Sequence, residues 1–154
     1  MAKFKNYLAS CMVGLVVFAV CVFAPHPSWA QESGNLFGMW TGHYVCAPID
    51  TAATVRIISV SKYGDLSATF SFSSLPGMSL PLPGSFRLTG RYDANTAAVT
   101  FQPAGWIQPP ADPRYRMDGF SAILDPVART MIGNMLPGGV CNGGRILLEK
   151  GRSQ

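Results

Sequence analysis

The sequence is short of the residue types that most enzyme active sites use. Only 13% of its 154 residues are charged, and of its two histidines only His43 follows residue 30. Strand-like alternation predicts that His43 points to solvent, which does not suit a serine–histidine–aspartate triad. The chain has no Gly-x-Ser-x-Gly motif, no Cys-x-x-Cys motif and no loop with three spaced carboxylates. The composition therefore predicts no catalytic residues, no metal site and no cofactor.

Basic residues are too few and too scattered for a nucleic-acid interface. The formal net charge is +4, and it falls to about +2 if processing removes Lys3 and Lys5. The arginines that follow residue 30 are spread along the chain and do not form a basic stripe. We therefore expect no nucleic-acid partner.

Residues 1–30 have the features of an export signal. Lys3 and Lys5 give a positive start, residues 7–24 are an uncharged apolar run, and Ser28-Trp29-Ala30 resembles a signal-peptidase site. We expect cleavage before Gln31. The expected division is a signal peptide (1–30), a short lead (31–37), a folded domain (38–150) and a C-terminal tail (151–154).

Two other outcomes for this segment stay open. Leu8-Ala9-Ser10-Cys11 has the composition of a lipoprotein cleavage site, although little apolar sequence precedes it. The apolar run is also about 18 residues long, near the minimum for a membrane-spanning helix, so an uncleaved anchor is the alternative. In each case we expect the domain in the bacterial periplasm or medium, and membrane contact only through an uncleaved signal.

Two of the four cysteines remain after processing, Cys46 and Cys141. An even pair in an exported chain predicts one disulfide. Closing the loop of roughly 100 residues between these cysteines stabilises a fold by roughly 4–5 kcal/mol in the chain-entropy description.

The part of the chain after residue 30 shows a two-residue apolar period and no helical period. Ten prolines and fifteen glycines follow residue 30 and interrupt any long helix. The clearest alternation covers residues 66–73, where apolar residues alternate with serine and threonine. We expect about eight strands, near residues 38–46, 54–58, 66–73, 86–92, 99–101, 115–124, 129–136 and 145–150.

Short turns between these segments predict an all-β fold of sequentially paired antiparallel strands. Asp93-Ala94-Asn95 and Pro137-Gly138-Gly139 are examples of such turns. Eight short strands in one small domain favour an up-and-down barrel, because closure removes exposed edges. A β-sandwich is the alternative.

Two longer connections, residues 74–84 and 103–113, are rich in proline and in apolar side chains. Proline orders a loop in advance, which lowers the entropy cost of binding. We therefore predict a binding surface at one barrel mouth, formed by Leu80, Leu82, Trp106, Ile107 and Tyr115. The alternative is that these loops fold back and plug the barrel end.

Asp118 is the acidic residue that does not fit a turn. It lies inside a predicted strand, near Arg116, and a cross-strand ion pair is the expected arrangement, with a buried charge partner or a ligand contact as the alternatives. A hydrolase would instead need Asp118 in a cleft beside a second carboxylate. We rank this activity below simple binding.

Short motifs resemble two groups of bacterial exported and related β-barrel proteins. Gly38-Met39-Trp40 resembles the first strand of lipocalin- and avidin-like barrels, in which a tryptophan seals the barrel floor. That resemblance implies a cavity for a small apolar ligand. Tyr44-Val45-Cys46 with the late Cys141 more loosely resembles exported inhibitors of C-type lysozyme, which implies a protein partner in the cell envelope.

Overall fold

The computed structural model describes residues 36–151, and the predicted signal peptide, most of the lead and the end of the tail lie outside this range. The fold is all-β, as the two-residue period predicts. Its eight strands are β1 (Gly38–Cys46), β2 (Ile49–Val60), β3 (Asp65–Ser74), β4 (Gly84–Asp93), β5 (Ala98–Gln108), β6 (Phe120–Asp125), β7 (Thr130–Met135) and β8 (Arg145–Lys150).

Each strand pairs antiparallel with its neighbour in sequence, and β1 also pairs with β8. The sheet is therefore a closed up-and-down barrel, which confirms the predicted fold class over the sandwich. Alternate side chains point inward, because consecutive residues of a strand face opposite sides of the sheet. In β3, for example, Leu66, Ala68, Phe70 and Phe72 are buried.

The predicted disulfide is present between Cys46 and Cys141, with the two Cα atoms 4.6 Å apart. It joins the end of β1 to the connection that precedes β8. The predicted outward direction of His43 also agrees with the structure, in which this residue is exposed.

Two predicted boundaries are wrong. Residues 103–113 are not one loop, because β5 continues to Gln108. Opposite β4, β5 contains two β-bulges, each of which adds one residue without a partner in β4. Gly105, which has a positive φ of 132°, lies between them. Such bulges allow Pro103 to lie within a strand. The strand predicted over residues 115–124 begins only at Phe120.

Within residues 36–151, no helix is long and apolar enough to cross a membrane. In the same range, no three His, Cys, Asp or Glu side chains form a group suited to a metal ion.

Candidate functional site

The two ends of the barrel are closed differently. In a meander, alternate connections lie at opposite ends of the barrel. The end that we call the base has three four-residue connections, 61–64, 94–97 and 126–129. The other end, the mouth, carries the short connection 47–48 and three long ones, 75–83, 109–119 and 136–144.

The base is filled by side chains. Trp40 and Leu36 are fully buried there, and the Trp40 indole N–H donates to the Leu36 carbonyl over 2.8 Å. The Lys150 ammonium lies over the Trp40 ring, 5.7 Å from its centroid. Beside this packed interior, a polar pocket of about 500 Å³ lies between the 61–64 and 94–97 turns of the base.

A cavity of about 340 Å³ opens at the mouth. Its size is at the lower end of the range for small-molecule sites, about 300–1,000 Å³. Its walls combine inward-facing strand residues, the disulfide and parts of the three long connections. They are Tyr44, Cys46, Ile49, Thr51, Phe70, Phe72, Leu80, Pro81, Phe86, Asp112, Arg114, Tyr115, Arg116, Asp118, Met135, Val140 and Cys141.

Aromatic rings form a continuous cluster around this cavity. Phe70 stacks on Phe86 with the ring centroids 5.1 Å apart, and it meets Tyr44 edge-on at 5.7 Å. Phe72 stacks on Tyr115 at 6.0 Å. Because these rings support one another in fixed orientations, the apolar wall exists before any ligand arrives.

Tyr115 also holds the 75–83 connection in place. Its hydroxyl oxygen accepts a hydrogen bond from the Leu82 backbone N–H over 2.8 Å. Pro81 is buried next to Leu82, whereas Leu80 is half exposed and lines the cavity. Both long connections therefore contribute to one wall, so they do not simply plug the barrel.

Asp118 is the buried acidic group of the site, with 7% exposure. Its two carboxylate oxygens accept the backbone N–H groups of Val140, over 3.1 Å, and Cys141, over 2.9 Å. The expected cross-strand ion pair of Asp118 is wrong, because neither ion pair of residues 36–151 involves Asp118, and the nearby Arg116 donates to the carbonyls of Pro113 and Tyr115. The reason is that residue 118 precedes β6 and has no cross-strand neighbour there.

A second polar group lies on the β1 and β2 side of the cavity. Tyr44 forms a side-chain hydrogen bond with Thr51, and both residues are buried. Burial raises the pKa of the Tyr44 phenol to about 12; the Thr51 hydrogen bond opposes this rise and the nearby charge of Asp118 adds to it. Tyr44 therefore stays protonated, as a hydroxyl, throughout the physiological pH range.

Charged groups at the rim are partly neutralised. The Arg114 guanidinium binds both oxygens of Asp112, with Nη2 2.6 Å from Oδ2. Hydrogen bonds from Arg114 lower the pKa of Asp112 to about 2. Asp112 is therefore ionised at neutral pH and is poorly suited to donate a proton, as an acid catalyst would have to do.

The structure brings together three of the five residues predicted to bind. Leu80 and Tyr115 line the cavity, and Leu82 is fixed at its edge. Trp106 faces inward behind this wall, edge-on to Phe86 at 5.5 Å, because the β5 bulges place it opposite Phe86. Ile107, the next residue, lies on the outer surface with 51% exposure.

Sequence reasoning missed Tyr44 and Thr51, and it ranked a buried or ligand-contacting Asp118 below a cross-strand ion pair. One signal for Asp118 exists in the glycine-rich segment that follows Pro137. A Cβ at Gly139 would overlap the Asp118 carboxylate, so only glycine allows this backbone to approach so closely. That approach joins the 136–144 connection to the cavity wall.

No protein-family model matches the chain, and no curated protein matches it. The likeness to lipocalin- and avidin-like barrels and to lysozyme inhibitors therefore stays at the level of short motifs and general architecture.

Proposed function

We propose that this protein is an exported, non-enzymatic binding module that holds a small, mainly apolar molecule in the cavity at the barrel mouth. The observation that carries the proposal is the aromatic cavity of about 340 Å³ between Phe72, Phe86 and Tyr115. A cavity with an apolar lining and a few converging polar groups is the usual form of a small-molecule site.

The contrast with the base supports ligand binding over a packing defect. Ordered interiors are close-packed, and the base shows such packing around Trp40. At the mouth, the Tyr115–Leu82 hydrogen bond joins two of the long connections, and the disulfide joins the third to β1, so the positions of the walls are fixed. The space is therefore maintained by specific bonds.

A binding role also agrees better than hydrolysis with the two carboxylates of the cavity. Both oxygens of Asp118 accept backbone N–H groups, and Asp112 is held by Arg114. An acid catalyst needs a carboxyl group with a raised pKa, whereas the pKa of Asp112 is lowered by Arg114. We therefore propose no catalytic residue.

Titration of the purified protein with N-phenyl-1-naphthylamine, a neutral apolar fluorophore, tests the proposal. We expect saturable binding with an emission increase. Met135→Trp, which adds bulk to the cavity wall, should weaken binding at least tenfold. Ile132→Trp, on the same strand but on the outer face, is the matched control and should bind normally.

Leu80→Glu provides a second variant at the half-exposed rim, where loss of folding is not expected. Circular dichroism establishes that each variant is folded. Equal binding by the wild type, Met135→Trp and Leu80→Glu would show that the fluorophore binds elsewhere, and the cavity proposal would then fail.

A protein partner is the second candidate, because apolar side chains surround the mouth. Met78, Leu80 and Ile107 are exposed by 55%, 51% and 51%. Exposed apolar residues at one end of a domain are typical of recognition surfaces. The lysozyme-inhibitor version predicts that the purified protein lowers the activity of a C-type lysozyme, and that Ile107→Asp removes this effect while Ile123→Asp does not.

Export itself is part of the proposal. Expression of the full chain in a bacterium, followed by fractionation and mass measurement, should give a protein that begins at Gln31 in the periplasm or medium. A full-length product in the membrane fraction would instead support the uncleaved anchor.

A further inference from the structure

Asp118 is a buried carboxylate inside an aromatic cavity, and its charge is not balanced by an ion pair. Among residues 36–151, the ion pairs are Arg91 with Asp65 and Arg114 with Asp112. Placing a carboxylate in such surroundings costs free energy unless another group compensates its charge.

The two backbone hydrogen bonds leave part of this carboxylate available. An ionised carboxylate has about four acceptor positions on its two oxygens. One N–H group, from Val140 or Cys141, occupies one position on each oxygen. Since Asp118 also lines the cavity, its other acceptor positions are within reach of a bound molecule.

The surrounding rings favour a cation beside this carboxylate. Tyr44, Phe72 and Tyr115 line the same cavity, and the faces of aromatic rings carry partial negative charge. The Tyr44 hydroxyl and Thr51 add oxygen acceptors on the β1 and β2 side. The inner part of the cavity is thus rich in acceptors.

The rim arginines are less suited to bind an anion. Arg114 is engaged by Asp112 through both carboxylate oxygens. Arg116 uses its Nη1 for two backbone carbonyls, and the residue is exposed to water. Exposed ion pairs contribute little to binding, so the buried carboxylate of Asp118 determines which ligand charge the cavity prefers.

We infer that the ligand of the mouth cavity is a hydrophobic amine, whose protonated amino group binds Asp118 while its apolar body packs on Phe72, Phe86 and Tyr115. This inference rests on the proposed function, because it names the chemical class of the molecule in the same cavity.

Three probes of similar shape separate the contributions. They are 4-phenylbutylamine, 4-phenylbutan-1-ol and 4-phenylbutanoate, each measured against the purified protein by calorimetry at neutral pH. We expect the amine to bind about tenfold more tightly than the alcohol, and the carboxylate to bind most weakly. High salt should weaken binding of the amine and leave binding of the alcohol unchanged.

Asp118→Asn should remove the advantage of the amine and preserve binding of the alcohol. Asp50→Asn, which removes an exposed carboxylate of β2 that does not line the cavity, is the matched control and should keep the order of the three probes. Because Asp118 also anchors the 136–144 connection, urea unfolding of the Asp118→Asn protein is measured in parallel. The salt dependence of amine binding is measured on the wild type, so this test does not require the variant to fold.

The possible outcomes distinguish failure of the amine inference from failure of the proposed binding function. If neither these probes nor N-phenyl-1-naphthylamine binds, the cavity proposal itself fails. If the alcohol and the amine bind equally, the cavity binds apolar molecules and the amine inference is wrong. If the carboxylate binds best and Arg116→Gln abolishes its binding, the ligand is an anion.

Discussion

The base and the mouth of the barrel are built from the same eight strands, yet they differ in connections and in packing. Four-residue turns join the strands at the base, and the side chains of Trp40 and Leu36 fill the interior. The mouth has connections of up to eleven residues, over 109–119, and a cavity. The comparison teaches that the tightly packed tryptophan site and the proposed ligand cavity lie at opposite ends of one barrel.

The largest effect is expected from tryptophan removal at the base. Trp40→Ala should lower the free energy of unfolding by about 3–5 kcal/mol, because it empties a fully buried site. Trp106→Ala should cost only about 1–2 kcal/mol, because Trp106 is partly exposed near the mouth. Urea unfolding measures both values. If Trp40→Ala does not fold, Trp40→Phe and Trp106→Phe are compared instead. Equal losses of unfolding free energy at the two positions would contradict the idea that the base contributes more to stability than the mouth.

Loss of the disulfide at the mouth is expected to have the second-largest effect on the free energy of unfolding. The Cys46→Ala/Cys141→Ala protein should lose about 2–4 kcal/mol, because the bond spans 95 residues of sequence and restrains the unfolded chain. Urea unfolding with and without a reducing agent gives the value. The reducing agent should not change the stability of the double variant. If the wild type is equally stable with and without the reducing agent, the disulfide does not stabilise the fold.

Alkaline pH should destabilise the mouth through Tyr44. Its folded-state pKa is raised to about 12, so this contribution is complete below the ordinary pKa of 10.0 and is lost as the pH rises from 10 to 12. The loss should reach roughly 2–3 kcal/mol. Urea unfolding from pH 9 to 12 should show a shallower decline for Tyr44→Phe. Tyr63→Phe, which removes an exposed phenol at a base turn, should follow the wild type.

The smallest effect is expected at Tyr115. Tyr115→Phe removes the acceptor of the Leu82 N–H and should cost about 1 kcal/mol. Hydrogen exchange should become faster at the Leu82 amide. The Tyr92 amide, which donates to the Gly64 carbonyl at the base, should be unchanged. Equal acceleration at both amides would indicate a global effect and not a local one.

The features that follow from local pattern could be predicted from the sequence. Alternation through residues 66–73 identifies a half-buried strand, since the direction of each side chain depends only on its position in the strand. The cysteine pair follows from export and count. Sequential pairing of the strands follows from short turns, whereas such turns also suit a β-sandwich, and the pairing of β1 with β8 decides for the barrel.

The features that depend on distant partners could not be predicted. Pro103 and Gly105 are typical of a loop, but pairing with β4 and two extra residues keep them within β5. Asp118 is placed by N–H groups that lie 22 and 23 residues later in the chain. The cavity in turn depends on how three long connections pack together, which no local period describes.

The pairing of β1 with β8 has a consequence for association with other chains. Each of the eight strands described here has a neighbour on both sides, so a neighbouring polypeptide finds no whole edge strand to extend, although residues 102–108 of β5 extend beyond its pairing with β6. Assembly by strand addition is therefore restricted to such short segments, and other contacts between chains through the barrel wall involve side chains.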